Sequence, residues 1–167
     1  MLIALLTGFG LADSTGGGIG TIAIRSSSGN HRQHLGVNFW RKSCVENSDS
    51  QLERCQQYAL GVGENIHLIP NGKMMTTVVQ PKFLYGVRLG VLPLKVGFSI
   101  GLGGNALFGG AETLVWKLQP GLMGAIELEQ PVGREGEKDW ILRLEANQMI
   151  YGVGSSYGLV FGGARRW

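Results

Sequence analysis

Large apolar residues recur at every second position along most of this chain. The segment 83–102 shows it best: residues 83, 85, 87, 89 and 91, and then 94, 96, 98, 100 and 102, are all apolar or aromatic. Most residues between them are small or basic, and Leu92-Pro93 separates the two runs. Alternation with a period of two predicts two β-strands joined by a tight turn.

The same alternation recurs elsewhere, and segments rich in glycine, proline and asparagine separate the runs. Alternating runs cover residues 21–25, 34–40, 58–68, 113–119, 122–129, 140–147 and 157–162. Turns are predicted at 15–18, 28–30, 70–72, 92–93, 103–105, 120–121, 133–139 and 152–155. Runs of about nine to twelve residues suit a tilted strand that spans a membrane. We therefore expect an all-β fold, a closed antiparallel up-and-down transmembrane barrel of eight strands, with eight to ten possible.

The composition of the two faces decides which face points outwards. The polar face consists largely of glycine, serine, alanine and single charges, in a chain with 28 glycines and only 16% charged residues. Glycine weakens exposed strands, whereas small residues fit inside a narrow barrel. A membrane barrel places its apolar face outwards. The residues expected to face lipid are Val87, Leu89, Val96, Phe98, Ile100, Leu128 and Leu142.

Charged residues on the polar face form a second predicted feature. They are Arg25, Arg88, Lys95, Lys117, Glu127, Glu129, Arg143 and Glu145. Inside a barrel, opposite charges on neighbouring strands have to pair, because an isolated buried charge is costly. The alternative is that they are surface residues of a soluble sheet. We predict a charge network in the lumen, with Ile22 and Ile24 on the opposite, apolar face.

Aromatic residues stand where strands begin and end. Trp140, Tyr157 and Trp167 suit an interfacial girdle, although aromatics also favour strands in general. The segment 157–167 ends in tryptophan preceded by alternating Tyr157, Leu159 and Phe161, and resembles the terminal strand of bacterial outer-membrane proteins. That resemblance implies recognition by the barrel-assembly machinery and a place in the outer membrane of a Gram-negative cell.

Two further segments bear on the environment of the chain. Cys44 and Cys55 lie in a polar segment and are expected to form a disulfide in an oxidising compartment, with two free thiols as the alternative. Two cysteines alone make a poor metal site, so no metal is predicted. Residues 1–14 fit either the remnant of a signal peptide or a first strand, and residues 15–167 are expected to form one barrel domain.

No catalytic motif stands out in the sequence. The ingredients of a lipid A-modifying enzyme exist as residue types in Ser26–Ser28, His31, His34 and Glu145, but their spacing does not bring them together. A net charge of +3 without a basic stripe argues against nucleic acid. We expect a structural, surface or narrow-pore (porin-like) protein without a cofactor, whose partners are membrane lipid, lipopolysaccharide or an envelope complex. The alternatives are the lipid A-modifying enzyme and a soluble barrel that binds a small apolar ligand.

Overall fold

The computed structural model describes residues 14–26, 29, 31–46, 52–69, 72–91, 93–109, 117–133, 140–152 and 154–166. For residues 26, 46, 66–69, 72–75, 117 and 118 it describes only the backbone. The strands are β1 (Ser14–Ser26), β2 (His31–Glu46), β3 (Leu52–Ile69), β4 (Gly72–Val91), β5 (Leu94–Phe108), β6 (Lys117–Val132), β7 (Trp140–Tyr151) and β8 (Gly154–Arg166). The predicted fold of eight antiparallel strands is confirmed. No helix in the described ranges is long and apolar enough to span a membrane. Residues 1–13, which hold nearly all of the ambiguous N-terminal segment, lie outside the described residues.

Each strand pairs with its neighbours in sequence, and β1 also pairs with β8, so that the sheet closes into a barrel. Directly paired residues trace the stagger of the strands. A path that starts at Ser14, crosses to Lys42 on β2 and continues around the barrel through Ser156 on β8 returns to β1 at Ile24, ten residues further on. With strands about 4.8 Å apart and a rise of about 3.3 Å per residue, this stagger corresponds to a tilt of about 40°.

Most strands alternate between an inner and an outer face. On β7, buried and exposed residues alternate at every position from Trp140 to Tyr151. Strands β2, β4 and β6 end, and β3, β5 and β7 begin, at one end of the barrel, which we call the disulfide end. Strands β1, β3, β5 and β7 meet β2, β4, β6 and β8 at the other end, which we call the Tyr151 end.

Three of the predicted turns are wrong. Residues 15–18, 103–105 and 120–121 lie within β1, β5 and β6. The glycines of β1 serve close packing instead of a turn: a Cβ on Gly18 would lie 2.3 Å from the carbonyl oxygen of Phe161 on β8. Pro120 lies before the ladder between β6 and β7 begins at Leu122, and proline is tolerated at such a position.

The prediction for β1 had the wrong phase. Ile22 and Ile24 point into the barrel and are 2% and 7% exposed, whereas Arg25 is exposed on the outer face. The reason is that the interior at the Tyr151 end contains an apolar cluster, in which the two isoleucines pack with Val78 and Met149. The assignment of Arg25 to the lumen is therefore wrong.

Candidate functional site

The outer face of the barrel carries a broad belt of apolar side chains. All seven residues predicted to face lipid lie on this face. Five of them are exposed: Leu89, Phe98, Ile100, Leu128 and Leu142. Val87 and Val96 are half-buried among their neighbours. Side chains from every strand join the belt, including Ile19, Val37, Leu60, Leu144 and Phe161.

The interior near the disulfide end holds a set of charged residues that we call the charge network. Its members are Lys42, Glu53, Lys82, Arg88, Lys95, Glu127, Glu129, Arg143 and Glu145. Every member except Lys95 is less than a tenth exposed. Each cation faces at least one carboxylate, as buried charges require.

Glu129 lies at the centre of the charge network. Its Oε1 accepts a hydrogen bond from Lys42 Nζ at 2.9 Å, and its Oε2 accepts one from Arg88 Nη1 at 2.6 Å. Arg88 Nε also donates to Glu53 Oε2 at 2.5 Å, and Lys42 also pairs with Glu127. One carboxylate on β6 thus joins cations from β2 and β4 across the lumen.

Arg143 organises the second half of the charge network. It pairs with Glu145 and, at 2.7 Å between Nη2 and Oε2, with Glu127. Its guanidinium carbon lies 4.8 Å from the centre of the Trp40 ring, in range for a cation–π contact. Trp40 has room because Gly162 faces it: a Cβ there would lie 2.7 Å from the indole ring. Glu145 also accepts a hydrogen bond from Lys82 at 3.0 Å.

Sequence reasoning found part of this set. Six of the eight predicted residues are members: Arg88, Lys95, Glu127, Glu129, Arg143 and Glu145. Arg25 lies outside, and the side chain of Lys117 is not among those described. The sequence prediction missed three members: Lys42, Glu53 and Lys82. However, Lys42 is in phase with the inward-facing His34 and Asn38, and Lys82 is in phase with Arg88. Extending the alternation would have found both.

The predicted disulfide is confirmed. Cys44 on β2 lies directly opposite Cys55 on β3, and the two are bonded on the inner face beside Glu53. Because both sulfurs are used in this bond, these three residues do not offer the thiolates that a metal would need.

Neutral groups fill the interior at the Tyr151 end. His34 is fully buried, with its ring nitrogens 3.3 Å from the carbonyl oxygen of Ile22 and 3.3 Å from Thr76 Oγ1. Gln80 donates to Asn105 at 2.9 Å.

A cavity beside Lys42 and Leu84 measures about 10 Å³, close to the lower limit for one water molecule. Among the residues that the structure describes, side chains occupy the lumen both in the charge network and at the Tyr151 end.

The candidate catalytic residues do not come together. His34 is enclosed near the Tyr151 end, whereas Glu145 is held in the charge network nearer the other end. His31 is exposed at the start of β2, and the side chains of Ser26–Ser28 are not described. No nucleophile–base–carboxylate arrangement is formed by the described members of this set.

The predicted interfacial aromatics lie towards opposite ends of the barrel. Trp140 begins β7 at the disulfide end and is 59% exposed. Tyr157 lies near the β7–β8 turn at the Tyr151 end and is 43% exposed. Trp167 lies outside the described residues.

This architecture is that of small bacterial outer-membrane barrels. Ail, the attachment invasion locus protein of Yersinia pestis, aligns with 92% of this chain and 97% of its own at 8% identity, with a TM-score of 0.69. A second Ail structure, in complex with the heparin analogue sucrose octasulfate, gives a TM-score of 0.67. Neisserial surface protein A (NspA) aligns with 92% of this chain and 96% of its own at 12% identity, with a TM-score of 0.58. No family model and no curated protein sequence matches the chain. At such identities the likeness is one of fold.

Proposed function

We propose that this chain is an outer-membrane protein with a structural or surface role, and that its barrel spans the bilayer without conducting ions. The observation that carries the proposal is the inversion of the barrel, which has apolar side chains on its outer face and paired charges inside. Soluble monomers rarely expose continuous apolar patches larger than a few hundred Å². A belt that includes every strand is stable only where lipid covers it.

The filled lumen favours a plugged barrel over a narrow pore. The charge network crosses the interior from β2 and β3 to β6 and β7 through directly bonded side chains. An ion could pass only if these bonds opened, which would leave buried charges unpaired. Eight strands leave an interior just wide enough for side chains.

The environment of the chain follows from the same features. The outer belt makes membrane lipid its first partner, with lipopolysaccharide on the outer leaflet. Strand β8 carries Tyr157, Leu159 and Phe161 in alternation on its outer face, and the proposal includes handling of this strand by the barrel-assembly machinery. The disulfide suits an oxidising envelope compartment. Neither a soluble ligand-binding barrel nor a lipid A-modifying enzyme is favoured by a described feature.

Fractionation and gel mobility test the location. Expressed with a functional export signal in a Gram-negative host, the protein should be found in the outer membrane. It should also migrate at a different apparent mass on a denaturing gel before and after boiling. Recovery in the soluble periplasm as a monodisperse protein without detergent would contradict the proposal.

Planar bilayers test the plugged lumen. The purified barrel should give no steady single-channel conductance. The variant Glu129→Gln, which loosens the charge network, should give brief openings at most. Steady, ohmic channels from the unmodified protein would support the narrow pore instead.

A further inference from the structure

The outer belt contains one large depression, which we call the acyl groove. It has a volume of about 1150 Å³ and extends across the outer face from β4 to β8. Its floor is Gly124 on β6 and Ala146 on β7, two small outward residues in a belt of large ones. A Cβ on Gly124 would meet only the carbonyl oxygen of Ser99, at 4.0 Å, so the space above this residue is open.

Large apolar side chains form the walls of the acyl groove. Ile100, Leu122 and Ile150 stand around Gly124 and are 75%, 71% and 62% exposed. Ile100 lies directly opposite Gly124 on β5, and Leu122 lies two residues before it on β6. A concave, nearly all-apolar surface of this volume is large enough for a small amphiphile.

A polar cluster closes the groove towards the Tyr151 end. Gln148 lies directly opposite Gly124, and Tyr157 lies directly opposite Gln148 on β8. Gln148 Nε2 and Ser155 Oγ each donate to Tyr157 Oη at 3.5 Å, the outer limit of a hydrogen bond. These weak bonds leave the three groups able to bind the polar part of an amphiphile.

Exposed basic residues continue this cluster along the strands. Arg25 on β1 is directly opposite Ser155, and His31 on β2 is directly opposite Arg25. Both side chains are exposed. A guanidinium on the strand that pairs with Ser155 and Tyr157 is suited to a phosphate group held together with their hydroxyls. Arg25, on the outer face, could therefore bind a phosphate group.

We propose that the acyl groove binds one anionic glycerophospholipid, with an acyl chain over Gly124 and Ala146 and its phosphate at Arg25, Ser155 and Tyr157. The proposal rests on the proposed function, because only a barrel in a membrane presents this face to lipid. Two features favour this occupant over a second copy of the chain. The groove is concave, and the exposed Arg25 lies on β1 beyond its Tyr157 side. Neither feature is complemented by the convex apolar belt.

Native mass spectrometry of the detergent-solubilised barrel, mixed with phosphatidylglycerol or phosphatidylcholine, tests the proposal. One phosphatidylglycerol should stay bound through gentle activation, at least five-fold more than phosphatidylcholine. Gly124→Leu should reduce this adduct at least ten-fold by filling the floor. The matched control is Gly163→Leu, also on the outer face, where a Cβ would have an ordinary contact of 3.7 Å. It should retain the adduct. Arg25→Gln should abolish the preference for phosphatidylglycerol.

Each variant is first checked for a heat-shifted band, and Ala146→Phe replaces Gly124→Leu if the latter does not fold. Any one of four results would overturn the acyl groove as proposed. They are equal adducts with both lipids, equal adducts in Gly124→Leu and Gly163→Leu, preferential retention of added lipid A, and a dimer held at this face. A barrel that inserts into vesicles and shifts on heating but retains no phosphatidylglycerol leaves the proposed function standing. A protein that neither inserts into vesicles nor shifts on heating would contradict both the proposed function and the acyl groove.

Discussion

Replacing Glu129 with glutamine removes one charge from the centre of the charge network with little change in volume. Glu129 is 2% exposed and bonds Lys42 at 2.9 Å and Arg88 at 2.6 Å. Both cations keep a second carboxylate, Glu127 and Glu53 respectively. Removing one partner of a buried pair typically costs about 3–5 kcal/mol, because it leaves buried charge uncompensated. Since each cation keeps one partner, we expect the lower part of this range, about 3 kcal/mol.

The assay is reversible urea unfolding of the barrel in lipid vesicles, followed by the gel shift and by tryptophan fluorescence. The matched control is Gln130→Ala, the neighbouring position on β6, which is exposed on the outer face. It should change the free energy of unfolding by less than about 0.5 kcal/mol, as is usual for surface substitutions. Adding Lys42→Met to Glu129→Gln should recover part of the loss, with a coupling of about 1 kcal/mol or more. A Glu129→Gln barrel as stable as the control would refute the reasoning that paired charges hold the lumen together.

Three other predictions follow from the packing, the disulfide and the belt. Replacing both Cys44 and Cys55 with serine should lower the free energy of unfolding by about 2–3 kcal/mol in the same urea assay, and an unchanged midpoint would show that the cross-link adds nothing. Gly162→Ala should destabilise the barrel strongly, because its Cβ would lie 2.4 Å from the carbonyl oxygen of Gly17, whereas Gly163→Ala should be tolerated. The yield of heat-shifted protein measures the difference, and equal yields for the two variants would contradict this prediction. Ile126→Lys, within the belt, should cost about 2–4 kcal/mol, and Val132→Lys, at the strand end, at most about 1 kcal/mol; equal costs would argue against a depth-dependent lipid environment.

Local alternation predicted the fold, because on most strands one face is apolar and the other polar or small. It failed on β1, where Ile22 and Ile24 pack inside against residues of distant strands such as Val78 and Met149. On β1 the apolar face points inwards or outwards according to the side chains that fill the lumen at that height. The local sequence of β1 does not contain this information. The turns predicted at 103–105 and 120–121 failed for a related reason, since glycine and proline near strand ends are compatible with a continuing strand when the neighbouring ladder allows it.

The charge network was only partly predictable from the sequence. Arg88 and Lys95 are in clean alternating runs, so their inward position could be predicted. Glu53 lies in the polar segment that holds the two cysteines, outside the predicted alternating runs, and its place in the lumen depends on the extension of β3 down to Leu52. The specific partners, such as Lys42 with Glu129, depend on the stagger of ten residues around the barrel, which only closure of the sheet defines.

The orientation of the two faces is measured most directly with spin labels on single introduced cysteines. Because Cys44 and Cys55 are bonded to each other, a cysteine introduced at Ile126 or at Gly29 is the one that is labelled. In vesicles, the label at 126 should collide readily with oxygen and be shielded from a water-soluble nickel chelate, while the label at 29 shows the reverse. A label at 126 that meets the chelate as freely as the label at 29 would show that the apolar belt does not face lipid.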